Sequence, residues 1–511
     1  MKSKFWDSPI GKTNILLALS VSYKYLPSHL KQCFAYCSIF PKGVIFTKCQ
    51  VVLLWMAEGF LEETGNTRME EVGEEYFHDL VSRSLFEQSS GSKTGFVMHD
   101  IVNDLAKFVS RQFTFRLGVD HSHEIVNKTR HLSHGRQPFE NFKKFEALCV
   151  ARKMHTFYSI IFQPFSFDLY LTKKVQIDLL SKLRCLRVLT LSHNRNMTEL
   201  FKSIGKIKHL RYLNLSSTAI KSLPDSICKL CNLQALYLSD CKDLVALPRD
   251  TWKLISLRYL GIRGTGIKEM PMKLGRLKGL QTLSKFIIDK HNGACIEELG
   301  KLENLRETLA VLDLQNVYLQ LGALKACLKD KKYLEALVLE WNALDTNISE
   351  CQRSILDNLR PHSNLKRLTI NNYGAKSLPD WVGHQSFSCI TFLRLENCKH
   401  CLNLPPLGQL PSLQYLFVVR FEAVVKVDHK FYGSTVKPFE ALKVLRFEQM
   451  LKWEEWSSFG AENEGGAFTQ LEELYINICP KLTGWLPVHL PSLAKLEIHK
   501  CPQLADVGPI R

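Results

Sequence analysis

Three short motifs contain residue types that could bind a phosphate group or a metal ion. Gly11–Thr13 matches the end of a phosphate-binding loop, but Trp6 stands where that loop requires its first glycine. Cys228–Cys231 and Cys398–Cys401 have C-x-x-C spacing, yet neither has a second pair at the distance typical of zinc sites. The sequence therefore predicts no metal site and no catalytic nucleotide hydrolysis, so we do not expect an enzyme.

A fourth motif, His99 and Asp100, stands between a predicted strand at 95–98 and a predicted helix that runs to Val109. An imidazole can donate a hydrogen bond to a phosphate oxygen, and the free N–H groups of a helix start favour anions. Asp100 could cap the same helix by accepting its free N–H groups. The competing interpretation is that both are ordinary polar residues at a helix start.

The elements that position this motif form a predicted winged-helix domain at residues 31–112. Residues 1–30 have a helical pattern ending at Pro27, which we interpret as the end of a preceding helical subdomain. Cys33–Pro41 is almost continuously apolar, and Gly59 stops a helix that begins near Lys48. An acidic helix at 69–86, a turn, a short strand and the closing helix complete the domain.

A leucine pattern, L-x-x-L-x-x-L-x-L, organises the chain from Leu183 to its end. Its last leucine recurs about every 23 to 25 residues, a period typical of leucine-rich repeats. Each short strand buries two apolar side chains and must stack on the next copy. The predicted fold class is thus α+β, with a winged-helix domain at 31–112 and a curved solenoid of leucine-rich repeats at 181–511 whose parallel sheet lines the concave face. Residues 113–180 are predicted to be a linker and the start of the solenoid, formed by irregular strands. Looser copies pivot on Leu314, Leu339, Ile370, Leu395, Val418, Phe447, Ile476 and Ile498, and Lys285 is expected to occupy the apolar slot of a degraded copy.

The residue three positions after each pivot must turn the chain inward. Asn and Thr can bond turn backbone there, and Cys packs as a small buried hydrophobe. Such ladder positions account for several of the sixteen cysteines, which indicates reduced thiols in a cytoplasmic protein. No apolar run is long enough to span a membrane, although nuclear or peripheral plasma-membrane locations stay open. The ladder residues are Asn194, Thr218, Cys241, Thr265, Asn342, Cys398, Cys479 and Cys501.

Charge is segregated along the chain, whose formal net charge is +17. Lys and Arg outnumber Asp and Glu about threefold between residues 181 and 290, whereas residues 58–87 are acidic. Either the two blocks form an intramolecular clamp between the winged helix and the early repeats, or both are solvated faces. The clamp would join Arg184, Arg187, Lys206, Lys208, Arg211, Lys253, Arg258 and Arg263 to Glu62, Glu63, Glu70, Glu71, Glu74 and Glu75.

The non-leucine positions of the predicted strands form a candidate partner-binding surface. They face away from the leucine core, and aromatic residues and arginines are enriched where protein partners bind. The set comprises Tyr212, Asn214, Tyr237, Tyr259, Arg263, Arg367, Phe392, Arg394, Tyr415, Phe417, Arg446, Tyr475 and Glu497.

Residues 33–41, 53–61 and 97–100 together resemble plant nucleotide-binding leucine-rich-repeat immune receptors of the coiled-coil class, closest to the RPP-type subgroup. Met98–Asp100 resembles the MHD motif of that family. The resemblance implies that His99 approaches the phosphate of bound ADP and, with Asp100, keeps a resting state closed. A complete receptor carries a coiled coil and a phosphate-loop core upstream, so this chain is expected to be a fragment that binds ADP or ATP weakly or not at all.

The resemblance implies a non-catalytic immune receptor whose repeats recognise a pathogen effector or a guarded host protein. The alternative is a nucleic-acid-binding protein, suggested by the winged helix and the basic repeats. A winged helix that reads DNA needs a basic recognition helix, and the acidic helix at 69–86 would repel phosphates. We therefore expect nucleic acid not to be the partner.

Overall fold

The computed structural model divides the chain into two compact units, Met1–Ile267 and Lys268–Arg511. Gly11–Thr13 and Glu63 lie outside the described residues, so the structure does not bear on their expected roles. Among the described residues, no helix is both long and apolar enough to cross a membrane. The described residues are 21–62, 65, 67–92, 94–110, 112–117, 128–135, 151–160, 180–290, 293–317, 320–342, 350–459, 466–484, 486 and 490–504.

The first unit begins with the predicted winged-helix domain. Its central helix, Lys48–Glu58, starts with a capping box between Thr47 and Gln50 and ends at Gly59, whose φ is 80°. Every residue of this helix from Val51 onward is buried, because it packs against other elements on all sides. The elements are the helices Ser28–Tyr36 (α1), Lys48–Glu58 (α2), Met69–Ser82 (α3) and Asp100–Ser110 (α4), and the antiparallel strands Phe46–Thr47 (β1), Glu87–Gln88 (β2) and Gly95–Val97 (β3), with β3 in the centre.

A parallel sheet starts directly after α4, earlier than the leucine pattern indicates. Its first strand, Thr114–Leu117 (β4), carries the buried Arg116, which donates to the carbonyls of Ser38 and Phe40 at 2.7 and 3.1 Å. The segment read as irregular strands thus contains regular repeat strands tied to the winged helix. In the first unit β4 is followed in sheet order by His131–Gly135 (β5), Thr156–Ile160 (β6), Val188–Thr190 (β7), Tyr212–Asn214 (β8), Ala235–Tyr237 (β9) and Tyr259–Gly261 (β10).

Short 3-10 helices form the layer opposite this sheet, and the repeat leucines fill the space between. Leu189, Leu213 and Leu260 are fully buried. The expected turn ladder is present: Asn194 Nδ2 donates to the Leu191 carbonyl, and Thr218 Oγ1 to the Leu215 carbonyl, both at 2.8 Å. In the first unit the 3-10 helices of this layer span Leu180–Lys182, Lys202–Lys206, Asp225–Lys229 and Thr251–Lys253, and a further 3-10 helix, Cys37–Ile39, belongs to the winged-helix domain.

The second unit repeats the same architecture with longer strands. Two register predictions were wrong. Phe286, fully buried and paired with Val311, fills the apolar slot assigned to Lys285, and Leu314 belongs to a 3-10 helix after the strand. Its strands are Thr282–Leu283 (β11), Lys285–Ile287 (β12), Glu307–Leu312 (β13), Leu334–Glu340 (β14), Arg367–Asn371 (β15), Phe392–Glu396 (β16), Tyr415–Val419 (β17), Lys426–Val427 (β18), Val444–Glu448 (β19), Glu455–Trp456 (β20), Glu473–Asn477 (β21) and Lys495–His499 (β22).

Helices in the second unit are short and lie between these strands. From β12 to β22 the main parallel sheet follows chain order, except that β18 and β20 pair separately with each other. The helices are Glu297–Gly300 (α5), Gln320–Lys325 (α6), Glu350–Asn358 (α7) and His429–Tyr432 (α8), with 3-10 helices at Leu274–Arg276, Leu314–Asn316, Leu328–Asp330, Asp380–Gly383 and Leu407–Gln409.

Candidate functional site

His99 and Asp100 are both exposed at the start of α4. The Nδ1 atom of His99 accepts a hydrogen bond from the Ile101 N–H at 3.3 Å. The histidine ring therefore makes the capping contact that we predicted for Asp100. In the neutral ring this bond leaves the proton on Nε2, where it can be donated to an anion. His99 can therefore present an exposed N–H donor at the start of α4.

A buried carboxylate lies where α2 meets the repeat strands. Glu58, the last residue of α2, is only 1% exposed. The Thr156 hydroxyl donates to Glu58 Oε1, and the Nδ1 atoms of His131 and His155 each lie 3.5 Å from a carboxylate oxygen. The Arg187 guanidinium is 3.7 Å from Oε2 and also donates to the Glu58 carbonyl. One winged-helix side chain thus contacts three successive repeat strands or the residues that precede them.

The electrostatics of this site favour the ionised carboxylate. Burial alone would raise the pKa of Glu58. The imidazoles of His131 and His155 and the Thr156 hydroxyl, all close to the carboxylate, instead lower that pKa to about 2. Glu58 is therefore an anion at any physiological pH, and its removal would leave the neighbouring cation Arg187 without its buried counter-charge.

A column of cationic residues precedes three of the repeat strands and lies along the winged helix. Arg187 precedes β7, Arg211 precedes β8 and Arg258 precedes β10. Arg211 Nη1 donates to the Ala57 carbonyl at 3.3 Å. Arg258 Nη1 lies 2.9 and 3.0 Å from the two carboxylate oxygens of Glu70 in α3, an almost buried side chain. Arg187, Arg211 and Arg258 are spaced by the repeat period, so the solenoid itself positions them.

The remaining members of the predicted clamp do not form it. On the acidic side, Glu71 pairs with Arg68 of its own helix start and Glu74 pairs with Lys48 at 2.7 Å, both within the winged-helix domain. Among the described residues, no ion pair joins Glu62 or Glu75 to the repeats. On the basic side, four residues belong to the 3-10 layer opposite the sheet or to the turn that follows a 3-10 helix: Arg184, Lys206, Lys208 and Lys253. Arg263 is exposed just after β10.

The predicted partner surface is divided between two environments. In the first unit Tyr212 and Tyr259 are 3% and 7% exposed and belong to the winged-helix core, with Tyr237 packed against it. In this structure Tyr212 and Tyr259 are therefore covered by the winged-helix domain, and Tyr237 is half-buried beside them. The same apolar character that attracts a partner attaches the winged-helix domain to this face of the sheet.

In the second unit the equivalent face is open and carries a ladder of arginines and aromatic rings. Arg446 lies 4.4 Å from the Tyr475 ring centroid and 5.9 Å from that of Phe417. Arg394 is 5.9 Å from Phe417 and pairs with Glu396 at 2.7 Å. Arg367 lies 5.1 Å from Phe392, and Tyr415 is 39% exposed beside Phe392 in the strand register. Strand pairing therefore brings together Arg367, Arg394, Tyr415, Phe417, Arg446 and Tyr475, as expected, with Tyr475 only 7% exposed.

The sequence interpretation missed the central residues of the first site. Glu58 stands at the end of an otherwise apolar helix, a position where a carboxylate signals a specific partner. His131 and His155 lie in the segment read as irregular, and their separation by one repeat length was the available signal. Among the described residues, no group of three His, Cys, Asp or Glu side chains is arranged to hold a metal ion.

Comparison with known proteins identifies the class that this architecture defines. The leucine-rich repeat region family matches residues 166–499, and the disease resistance protein winged helix domain matches residues 39–106. The fold is thus a winged-helix domain joined to a leucine-rich-repeat solenoid. Among solved structures, the functional domain of InlJ from Listeria monocytogenes is 15% identical, with a TM-score of 0.40 over 66% of this chain and 72% of InlJ.

Two relatives place the chain more narrowly. It is 43% identical to the putative disease resistance RPP13-like protein 1 of Arabidopsis thaliana, over 100% of this chain and 49% of that protein. It is 35% identical to the disease resistance protein RGA2 of Solanum bulbocastanum, over 97% of this chain and 48% of that protein. The chain belongs to the plant disease-resistance family with winged-helix and leucine-rich-repeat domains, and it spans about half the length of these curated relatives.

Proposed function

We propose that the chain is the sensing and restraining part of a plant immune receptor. The observation that carries this proposal is the buried Glu58, held at once by Arg187, His131 and His155. A carboxylate left buried without these partners would cost several kcal/mol, so the contact can specify one docked arrangement of the winged helix on the early repeats. The family membership supports a role in disease resistance.

In this proposal the second unit recognises the partner. Its open sheet face combines Arg446, Arg394 and Arg367 with aromatic rings, the residue types that dominate protein interfaces. The partner is a pathogen effector or a host protein that such an effector modifies. Recognition is non-catalytic, since the repeats supply a binding surface rather than reacting groups.

The proposed restraint acts through the docked winged helix. Glu58 and Glu70 hold it against the column of Arg187, Arg211 and Arg258 in the first unit. A ligand can shift such an equilibrium only by its difference in affinity for the two states. A restraint worth a few kcal/mol is therefore strong enough to keep the receptor silent and weak enough to be released.

We propose that nucleotide contributes through His99 in the complete receptor. The Nε2 atom would donate to a phosphate oxygen of ADP, and Asp100 adds a carboxylate in the first turn of α4. One charge-assisted bond contributes about 1.5–3 kcal/mol. The isolated chain should then bind ADP or ATP weakly and hydrolyse neither, whereas losing His99 or Asp100 in the receptor should favour constitutive signalling.

The test uses a receptor that contains this chain, expressed in leaf tissue. Reversing Arg187, Arg211 and Arg258 to Glu should produce cell death without any partner, whereas reversing the exposed Lys376, Lys430 and Lys437, with the same charge change, should not. Replacing Arg367, Arg394 and Arg446 by Ala should leave the receptor silent but abolish the partner-triggered response. Silence of the first variant with normal protein accumulation would contradict the restraint, and an intact response of the third would contradict the recognition surface.

A further inference from the structure

The 3-10 layer of the first unit carries a basic surface that the docked winged helix does not use. Its members occupy two equivalent positions of successive repeats, and all of them are exposed. We call this the back face. Its first column consists of Lys182, Lys206, Lys229 and Lys253, and its second of Arg184, Lys208, Cys231 and Ile255.

The columns are regular because the repeats stack. Neighbouring parallel strands lie about 4.8 Å apart, so equivalent positions of successive repeats recur regularly in the opposite layer as well. Charges within about a Debye length of each other, about 8 Å at physiological ionic strength, act together on an anionic surface. Like charges on one surface repel each other and weaken the fold, and a bound anionic partner would offset this repulsion.

Few of the described carboxylates neutralise the positive charge of the back face. Lys253 pairs with Asp250 at 2.5 Å, and Lys208 Nζ donates to the Lys229 carbonyl at 3.1 Å. Among the described residues, no carboxylate forms an ion pair with Lys182, Arg184, Lys206 or Lys229. Among the described residues, the back face therefore carries a positive charge that is only slightly compensated.

We propose that the back face binds the surface of an anionic lipid bilayer. Five of its six cations are lysines, which act as point charges toward many phosphates rather than as forks for one. Ile255 is 66% exposed at the end of the second column, and the half-buried Trp252 contacts Lys253 through its ring. Apolar and indole side chains beside lysines are typical of peripheral membrane contacts.

The short 3-10 helices of the back face disfavour the nucleic-acid alternative. Reading a duplex requires a helix or strand that enters a groove. The 3-10 helices here have only three to five residues and are packed into the leucine core through residues such as Ile204 and Ile227. A flat lipid surface needs no insertion of backbone, and both columns of the back face can contact it at once.

The inference is tested by co-sedimentation of the full chain with vesicles. Vesicles of phosphatidylcholine alone are compared with a three-to-one mixture of phosphatidylcholine and phosphatidylserine. We expect binding to the anionic vesicles only, weakened by added salt. Each lysine near such a surface contributes a roughly fivefold factor, so replacing Lys182, Lys206, Lys208 and Lys229 by Glu should lower the affinity by at least about 100-fold.

The control variant replaces four exposed lysines of the second unit by Glu and has the same net charge. It should bind the anionic vesicles within about threefold of the unchanged chain, since those lysines lie off the back face. A second back-face variant with Gln at the same four positions keeps the test valid if the Glu variant does not fold. The four control lysines are Lys376, Lys430, Lys437 and Lys452.

Three outcomes would overturn the inference. The first is equal loss of binding in the control, which would assign the effect to net charge. The second is no binding of the unchanged chain to anionic vesicles. The third is binding to duplex DNA under conditions where the vesicles do not bind, which would make nucleic acid the occupant of the back face. Each outcome is independent of partner recognition by the second unit, because no such partner is present.

Discussion

Replacing Glu58 by Gln should destabilise the contact between the winged helix and the early repeats more than any exposed charge does. Folding lowers the pKa of this carboxyl from 4.5 to about 2. At about 1.4 kcal/mol for each pKa unit, that shift corresponds to roughly 3 kcal/mol of stabilisation. Breaking a buried ion pair by removing one partner costs a similar ~3–5 kcal/mol. Gln preserves the shape, so the loss isolates the charge.

Native-state hydrogen exchange measures this effect locally, in α2, β5 and β6. A loss of about 3 kcal/mol should raise exchange of their protected amides by about 100-fold, since 1.4 kcal/mol is a tenfold change. Glu74→Gln is the matched control, because Glu74 pairs with Lys48 in an exposed position and contributes at most about 1 kcal/mol. Unchanged exchange in Glu58→Gln, or a change no larger than that of the control, would refute the assignment.

The same carboxyl also fixes the sign of a pH effect. Its pKa is lower in the folded protein, so its stabilisation is complete above about pH 4.5 and is lost as the pH falls toward 2. The unchanged chain should lose protection of α2 in this window, and Glu58→Gln should lose less over the same range.

Three further changes have results that follow from single contacts. Gly59→Ala should lower the urea midpoint more than Gly43→Ala. Both glycines have a positive φ, but only at Gly59 would an added Cβ meet a neighbour, Arg211 Nη1 at 3.1 Å. Equal effects of the two changes would exclude the contact. Burial lowers the pKa of Lys331 to about 8, while its Nζ donates to the Leu299 and Leu302 carbonyls. Stability should therefore rise between pH 8 and 10.5 as the folded protein sheds this proton first, and Lys331→Met should remove the rise seen in urea titrations. Thr218→Val should cost about 1–2 kcal/mol by deleting the bond to the Leu215 carbonyl, and a thermal midpoint equal to that of the unchanged chain would contradict this.

The solenoid was predictable from the sequence because its signal is repeated. Each further copy of the leucine pattern supports the same repeat unit. Leu189, Leu213 and Leu260 are buried as the period requires. The prediction was wrong where a copy is degraded. There the pairing of Phe286 with Val311 in the neighbouring strand sets the register, so Phe286 and not Lys285 occupies the apolar position.

The candidate site was predictable only in part, since it is formed by long-range contacts. The residue types show that Arg258 and Glu70 carry opposite charges. The spacing of the basic residues, however, could not show which of them lie on the sheet side of a repeat and which on the 3-10 side. Arg187 and Lys206 are both basic, yet only Arg187 precedes a strand and reaches Glu58. The burial of Tyr212 depends on the docked winged helix, which no local pattern encodes.

The docking of the winged helix on the early repeats is tested most directly by a charge-swap cycle on Glu70 and Arg258. Their carboxylate and guanidinium lie 2.9 Å apart and join α3 to the strand β10. Hydrogen exchange of α3 amides is measured in Glu70→Arg, in Arg258→Glu and in the double variant. Each single change should increase exchange, and the double variant should recover most of the protection, with a coupling of at least about 1 kcal/mol. Exchange in the double variant equal to the sum of the two single effects would contradict the docked arrangement.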